Sequence, residues 1–361
     1  MGFLENKAQY KIWVFAPFYE SEDTDMQFYY DYTQSIAEYT KVFAALDCPW
    51  EWIDITMNNF KLVIDAISRE PNKNIVINLC DGDELAGVPG ISVVHALEKS
   101  NLVYTGADAF FYHITTSKIN MKRAFDAQAV SNAKWLPVDS NISETAFNEI
   151  GSPVMIKPAV SAGSMGIGVK NVVPNFSQYQ IALQEIAQGN QLGNLGTTDL
   201  LVEKFITGRE FTLFIVGSYI RPTQLKCYAP VERVFHPSLP EQEKFLSFDR
   251  LWETYAEESA MPSSDFFYEY AAVLDIELSK SLEAISIAAY SAVKGMGYGR
   301  VDIRMDAITG ALFVLEVNAQ CGISEDENYT SIGAILKFSN QSFTNLIVEI
   351  LDDAIARKKI A

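Results

Sequence analysis

The chain has 361 residues, 48% hydrophobic and 12% aromatic, a globular composition long enough for two or three packed subdomains and without the signature of disorder. Its formal charge of −18 excludes general attraction to nucleic acid or to an anionic membrane surface. A bound polyanion would need positive groups gathered in one place, so isolated lysines and arginines carry information.

The cysteines, Cys48, Cys80, Cys227 and Cys321, are far apart and form no CxxC or Cys/His pattern. They read as reduced thiols, not as a zinc site or a disulfide framework. The opening MGFLENKAQY has no apolar leader core, and Asn6 stands where a myristoylation signal carries Ser or Thr. A cytoplasmic location is expected.

In chain order, KIWVFAPF (11–18), a helical pattern near 30–46, EWIDI (51–55), a second near 59–69 and NIVINL (74–79) alternate as βαβαβ. This periodicity predicts a parallel sheet with ligands at the carboxyl ends of its strands. The loop Asp81-Gly82-Asp83-Glu84 then points toward a site, with Glu84 a candidate substrate contact. A helix and short strand fit 91–106, and a composition shift sets a boundary near 105. Beyond it come a basic amphipathic helix, the strand PVMIKPA (153–159), a Gly/Ser-rich loop, a strand at 168–173 and a helix over 176–188. GNQLGNLGTTD (189–199) has turn composition and precedes the strand LLVEKFI (200–206). From 227 to 275 the sequence is aromatic, acidic and punctuated by proline, and reads as a long ordered excursion over a cleft. Ser281 is expected to cap a helix with Leu282, Ile285, Ala289, Val293 and Met296 on one face, ended by Gly295 and Gly297. A hairpin precedes a final amphipathic helix over 342–358.

Three stretches carry chemistry. RVDIRM (300–305) and LFVLEVN (312–318) are joined by a turn ending in Thr309-Gly310. Strand alternation puts Arg300, Asp302 and Arg304 on one face, and Glu316 and Asn318 on a face shared with Leu312 and Val314. An antiparallel register brings Asp302 opposite Glu316. Two facing carboxylates repel unless a cation intervenes, and an oxygen-only set suits Mg²⁺ completed by water and phosphate. In VMIKPAVSAGSMGIG (154–168), glycines let backbone N–H groups approach phosphate oxygens, and Lys157 adds a positive charge at the strand end. In LLVEKFITGREF (200–211), an edge strand with free backbone groups suits a base, and a carboxylate suits a ribose hydroxyl pair.

Taken together, IKP with GSMGI, VEKFITGREF, and GYGRVD with LFVLEVN resemble the ATP-grasp core of D-alanine–D-alanine ligases, over roughly residues 100–355. TTSK (115–118) matches an earlier ATP lysine. The resemblance implies an α/β protein with α+β subdomains, an ATP-grasp fold behind an N-terminal Rossmann-like parallel-sheet domain. It divides the chain into a substrate domain (1–105), a central subdomain with the phosphate loop (106–199), and a C-terminal subdomain with lid and metal hairpin (200–361). It implies that Lys118 and Lys157 hold the α- and β-phosphates of ATP, while Gly163 and Ser164 cover the β- and γ-phosphates. Glu203, Lys204 and the backbone of Phe205 and Ile206 would hold adenine, and Glu210 the ribose. Asp302, Glu316 and Asn318 would bind two Mg²⁺ ions, and Arg300 would stabilise the oxyanion, as phosphoryl transfer by positioning and charge neutralisation requires.

The departures concern substrate. After Asn318 the chain reads Ala319-Gln320-Cys321-Gly322-Ile323-Ser324, where the family presents a Ser-Pro-Gly-Met type turn, and about three residues are inserted before Ser331. The family's N-terminal Gly-Gly-x-Ser-x-Glu element is missing near Pro17–Thr24. The lid lysine is missing from FLSFDRLWE, leaving Arg250 as its stand-in. Gly322 and Ser331 join Glu84 and Arg250 as substrate candidates, and lid aromatics Phe245, Phe248, Trp252 and Tyr255 could pack over a ring. The expected activity is ATP-dependent joining of a small carboxylate to an amine through an acyl phosphate. The substrate is expected not to be free D-alanine, and natural-product assembly, as in family members acting on mycosporine-glycine, is one expected source. The alternatives are a D-alanine–D-alanine ligase proper and a catalytically silent ATP-binding regulator. No nucleic acid or membrane partner is expected, and a homodimer is compatible with the sequence.

Overall fold

The computed structural model describes residues 2–19, 31–82, 84, 87–138, 142–161, 164–187, 199–253, 258, 260–261, 266–326 and 330–358. Three sheets organise them. The first runs β2-β1-β3-β4 and is wholly parallel, built from β1 (Tyr10–Pro17), β2 (Trp50–Ile55), β3 (Lys73–Asn78) and β4 (Val103–Tyr104). Its crossovers are α1 (Thr33–Leu46), α2 (Phe60–Ser68) and α3 (Ile91–Ser100), so the βαβ reading of the sequence holds.

Next come α4 (Ala109–Thr116) and α5 (Lys118–Ala127), capped by the Asp108 and Ser117 side chains, which satisfy otherwise orphaned backbone N–H groups. The second sheet is antiparallel, β5-β8-β6-β7, from β5 (Trp135–Pro137), β6 (Val154–Pro158), β7 (Val172–Val173) and β8 (Leu200–Lys204). Helices α6 (Glu144–Ile150) and α7 (Phe176–Ala187) accompany it. Phe147, Ile156, Tyr179 and Val202 form a separate core there. Strand β8 is interior, hydrogen-bonded to β5 and β6, and not the edge strand expected. It follows residue 199, and it shares this sheet with strands that precede that residue.

The third sheet runs β12-β11-β9-β13-β14, with β10 also on β9. Its strands are β9 (Gly208–Val216), β10 (Lys226–Cys227), β11 (Val231–Phe235), β12 (Tyr268–Ala272), β13 (Tyr298–Asp306) and β14 (Leu312–Ala319). The excursion expected over 227–275 is therefore a hairpin at its two ends, β11 pairing with β12 from Val231↔Ala272 to Phe235↔Tyr268. Helix α8 (Ile276–Ala292) starts earlier than expected. Asp275 caps it by accepting from Glu277 and Leu278 N–H, while Ser281 lies inside and donates to the Glu277 carbonyl at 2.8 Å. Helices α9 (Ser331–Phe338) and α10 (Phe343–Lys358) finish the chain.

One core joins the two ends of the chain: Ile12, Val14 and Ile75 of the parallel sheet pack with Tyr39, Phe214, Ile347 and Leu351. Burying such aliphatic and aromatic side chains stabilises by roughly 1.5–3 kcal/mol each, so the first and last segments form one packed body. No helix among the described residues is long and apolar enough to cross a membrane.

Candidate active site

Between the central and third sheets lies a cleft of about 1610 Å³, lined among others by Lys118, Lys157, Ser164, Glu203, Arg300, Asp302, Glu316 and Asn318. The residues singled out from separate stretches of sequence thus share one cavity. Lys204, Phe205, Ile206, Glu210, Arg250, Gly322 and Ser331 line it too. Gly163 and Tyr255 lie outside the described residues.

Ser117 caps α5 and so puts Lys118 in its first turn, where the helix dipole disfavours a cation. Lys118 Nζ donates to Ser161 Oγ and to the Ser161 carbonyl at 3.0 and 3.1 Å. Burial pulls the ammonium below its usual range, Lys157 pushes the same way, and Glu316 and Glu203 act against them. One turn on, Lys122 is buried and contacts Glu203 Oε2 at 2.6 Å, while Lys157 contacts Oε1 at 2.6 Å. Burial would raise the Glu203 carboxyl, but the two ammonium groups overcome it and hold it at about 2. Glu203 therefore points its carboxylate at the lysines. Sequence reading missed Lys122, although its i,i+4 relation to Lys118 was the available signal.

The loop after β6 holds Ser164 at φ 61° and Gly166 at φ 70°. Buried Asn171 ties it down, donating to the Ile156 and Gly166 carbonyls at 3.1 and 3.2 Å and accepting from Gly168 N–H at 2.8 Å. Nothing in the sequence marked Asn171.

On the hairpin β13–β14, Asp302 pairs with Glu316 but Ile303 pairs with Val314. Leu315 is thus an extra residue, a β-bulge that switches the faces of β14. Val314 and Val317 both enter the core with Val301 and Ile303, while Leu315, Glu316 and Asn318 line the cleft. The expectation that Leu312 and Val314 share the face of Glu316 is corrected by this bulge. Asn318 Nδ2 donates to Asp302 Oδ2 at 3.0 Å and Glu316 Oε1 at 3.1 Å. Arg300 grips Asp302 from the other side, Nη2 to Oδ2 at 2.9 Å and Nε to Oδ1 at 3.1 Å. Burial would raise the Asp302 carboxyl, but the Arg300 and Arg233 charges hold it below the usual range.

Glu210 is buried, and each of its oxygens accepts from a guanidinium, Arg233 on one side and Arg304 on the other. Arg233 was not anticipated. On β11, Val231, Arg233 and Phe235 point inward in alternation, a pattern visible only once 231–235 is known to be a strand. Arg250 lies on the cleft wall bound to Glu243 at 2.6 Å and Glu258 at 3.4 Å. Glu84 is not among the lining residues. It accepts from Gly90 N–H, Ser92 N–H and Ser92 Oγ at 3.2, 2.6 and 2.7 Å, which commits its carboxylate to the start of α3 and not to substrate. Phe245 packs edge-on to Phe205, their centroids 5.8 Å apart, and Trp252 lines the cleft, whereas Phe248 is not a lining residue.

Residues 123–352, well over half the chain, match the family model for the D-ala D-ala ligase C-terminus. The chain is 26% identical over 272 residues to the D-alanine–D-alanine ligase of Idiomarina loihiensis, covering 74% of this chain and 76% of that one. Its fold is that of the Bacillus anthracis D-alanine–D-alanine ligase complexed with ATP, with a TM-score of 0.64, 17% identity, and coverage of 97% and 99% of the two chains. VanG, the D-Ala:D-Ser ligase of Enterococcus faecalis, superposes equally, at TM-score 0.64 and 17% identity over 98% of this chain and 100% of that one. The chain belongs to the D-alanine–D-alanine ligase family and is an ATP-grasp ligase that forms carbon–nitrogen bonds.

Proposed function

We propose that the protein uses ATP to activate a carboxylate other than free D-alanine, or to join one to an amine other than free D-alanine, with the cleft residues in the roles that the family resemblance implies. The observation that carries this reading is the meeting of Lys118 and Lys157 with Asp302, Glu316 and Arg300 in one cavity. The two lysines, drawn from α5 and β6, would hold the α- and β-phosphates, with Ser164 and the loop backbone over the β- and γ-phosphates. Lys204, Phe205 and Ile206 would form the adenine wall and Glu210 the ribose side, while Glu203 acts on the phosphates through the lysines it holds.

Asp302 and Glu316 face each other with the Asn318 amide between them. This all-oxygen set fits Mg²⁺ completed by phosphate and water, and two such ions would neutralise charge on the transferring phosphoryl group. In the reaction, the carboxylate oxygen takes the γ-phosphoryl group and ADP leaves. The amine nitrogen then bonds to the acyl carbon, the carbon–oxygen bond to phosphate breaks, and the amine loses a proton. Arg300, fixed by Asp302, would offset the negative oxygen that develops on the acyl carbon.

One feature supports a substrate bulkier than D-alanine, of the kind assembled in natural products such as mycosporine-like amino acids: Trp252, Phe266, Phe267, Tyr268 and Tyr270 line the cleft. The test is phosphate release from ATP with Mg²⁺ across amino acids and amino-modified cyclic scaffolds taken in pairs. Release that requires a pair supports the reading and names the substrates, whereas ATP binding without release from any such pair would overturn the proposed substrate class.

A further inference from the structure

The segment between the carboxylate hairpin and α9 is held largely by the N-terminal domain. Gln320, buried at φ 53°, accepts from Ala107 N–H at 2.7 Å and donates to the Asn78 carbonyl at the end of β3 at 2.9 Å. Four residues on, the chain meets Glu38 of α1, which is 3% exposed. Glu38 Oε1 accepts from Ser324 Oγ at 2.7 Å, and Oε2 accepts from Glu325 N–H at 3.2 Å. Gln34, one turn earlier on α1, donates to Glu38 Oε1 at 3.1 Å and to Asp326 Oδ2 at 2.9 Å. Lys41, on the next turn, lies 3.3 Å from Glu325.

The same helix is also a wall of the cleft, through Thr33, Gln34, Ser35 and Ala37. On the far side of the held segment, Thr330 caps α9 by accepting from Gly333 N–H. The next residue, Ser331, is buried at the cleft wall, and its Oγ has no hydrogen-bond partner among the described residues. One helix thus supplies part of the cavity and the anchor for the strap that leads to Ser331.

We infer that Glu38 is the positioning residue for the amine-bearing substrate, setting the strap 322–326 and through it the Ser331 hydroxyl. The inference rests on the proposed ligase function and assigns to the amine-bearing substrate the cleft wall at Gly322 and Ser331, which the sequence already marked as substrate candidates. Removing this buried carboxylate takes away the acceptor of the Ser324 hydroxyl, the Glu325 N–H and one Gln34 amide hydrogen together. The strap then relaxes, and a small displacement of a substrate-holding group is costly to the reaction.

The test measures the Michaelis constant for the most active amine among glycine, L-serine, L-threonine and D-alanine, alongside calorimetric affinity for the ATP analogue AMP-PNP. For Glu38→Ala we expect a rise of roughly tenfold in the amine constant, with AMP-PNP affinity changed by less than about twofold. Glu38→Gln, which keeps one acceptor for Ser324, should be partly rescued at about threefold. Ser324→Ala combined with Glu38→Ala should be less than additive, because both cut the same contact. Amine constant and AMP-PNP affinity moving together, or neither moving, overturns the inference. A wild-type protein that binds AMP-PNP but releases phosphate from ATP with none of these amines, each paired with a carboxylate, overturns the proposed substrate class and this inference with it, and the wild type alone reveals that case.

Discussion

Asp302 and Glu316 lie directly opposite each other on β13 and β14, and the Asn318 amide donates to both carboxylates. Facing carboxylates of this kind are tolerated when positive charge stands between or beside them; Arg300 supplies it most directly to Asp302, and Arg300 and Lys118 also act on Glu316. Asp302→Asn and Glu316→Gln are each expected to lower turnover by about 10²–10³-fold, with thermal unfolding still cooperative. Activity with Mg²⁺ near wild type in either variant would remove this pair from the proposed metal site.

Lys118 and Lys157 reach the cavity from different subdomain elements, in a chain of net charge −18. Each charge-assisted contact to a phosphate contributes about 1.5–3 kcal/mol. Lys118→Ala and Lys157→Ala should therefore each weaken AMP-PNP binding by roughly 10- to 100-fold, read by calorimetry. Unchanged affinity in both would sink the phosphate roles. The Lys157 variant carries a second signature, because it leaves Glu203 with Lys122 alone.

The Glu203 carboxyl is held at about 2, against an ordinary value of 4.5. A carboxyl depressed on folding contributes stability in full above its unfolded value, and that contribution is lost as pH falls through the folded one. The contribution here is on the order of 3 kcal/mol. Wild type should be more stable than Glu203→Gln near neutral pH, and urea midpoints should show the gap closing between about pH 4.5 and 2. A gap that stays constant across that window would show that Lys122 and Lys157 do not hold the carboxylate.

All four cysteines are unpaired, and burial raises the thiol of each. Cys227 and Cys321 are pushed up to about 12. Since the thiolate is the reactive form, a disulfide-exchange reagent at pH 8 should label the folded protein slowly and the urea-unfolded protein at all four positions. Rapid labelling of Cys321 in the folded state would mean that the strap beside it opens readily.

Supplied with ATP, Mg²⁺ and D-alanine as the sole amino acid, the protein is expected to form little dipeptide, measured by mass spectrometry. The turn after Asn318 differs from the family pattern, and the aromatic cleft wall includes Phe266 and Trp252, which are 72% and 41% exposed and available to cover a larger substrate. Efficient synthesis of D-alanyl-D-alanine would show that the altered turn still serves that substrate.

Much of this was legible in the sequence, because it depends on local periodicity. The βαβ alternation of 11–79 became the parallel sheet, and period-2 alternation with a short turn was enough to bring Asp302 opposite Glu316. The resemblance carried by the three motifs together identified a nucleotide-dependent ligase. What local pattern could not reveal was pairing between distant segments. Strand 200–204 reads the same whether it is an edge or, as here, an interior strand, since only β5 and β6 decide. The bulge at Leu315 leaves no mark on a run of apolar residues, yet it determines which side chains of β14 face the cleft. Glu84 and Glu38 are both acidic residues near the N-terminal domain, and nothing local separates them. Tertiary packing turned one toward the start of α3 and gave the other a strap nearly 290 residues away in the chain, because one hydrophobic core joins the first sheet to the last helices and so brings α1 against residues 322–326.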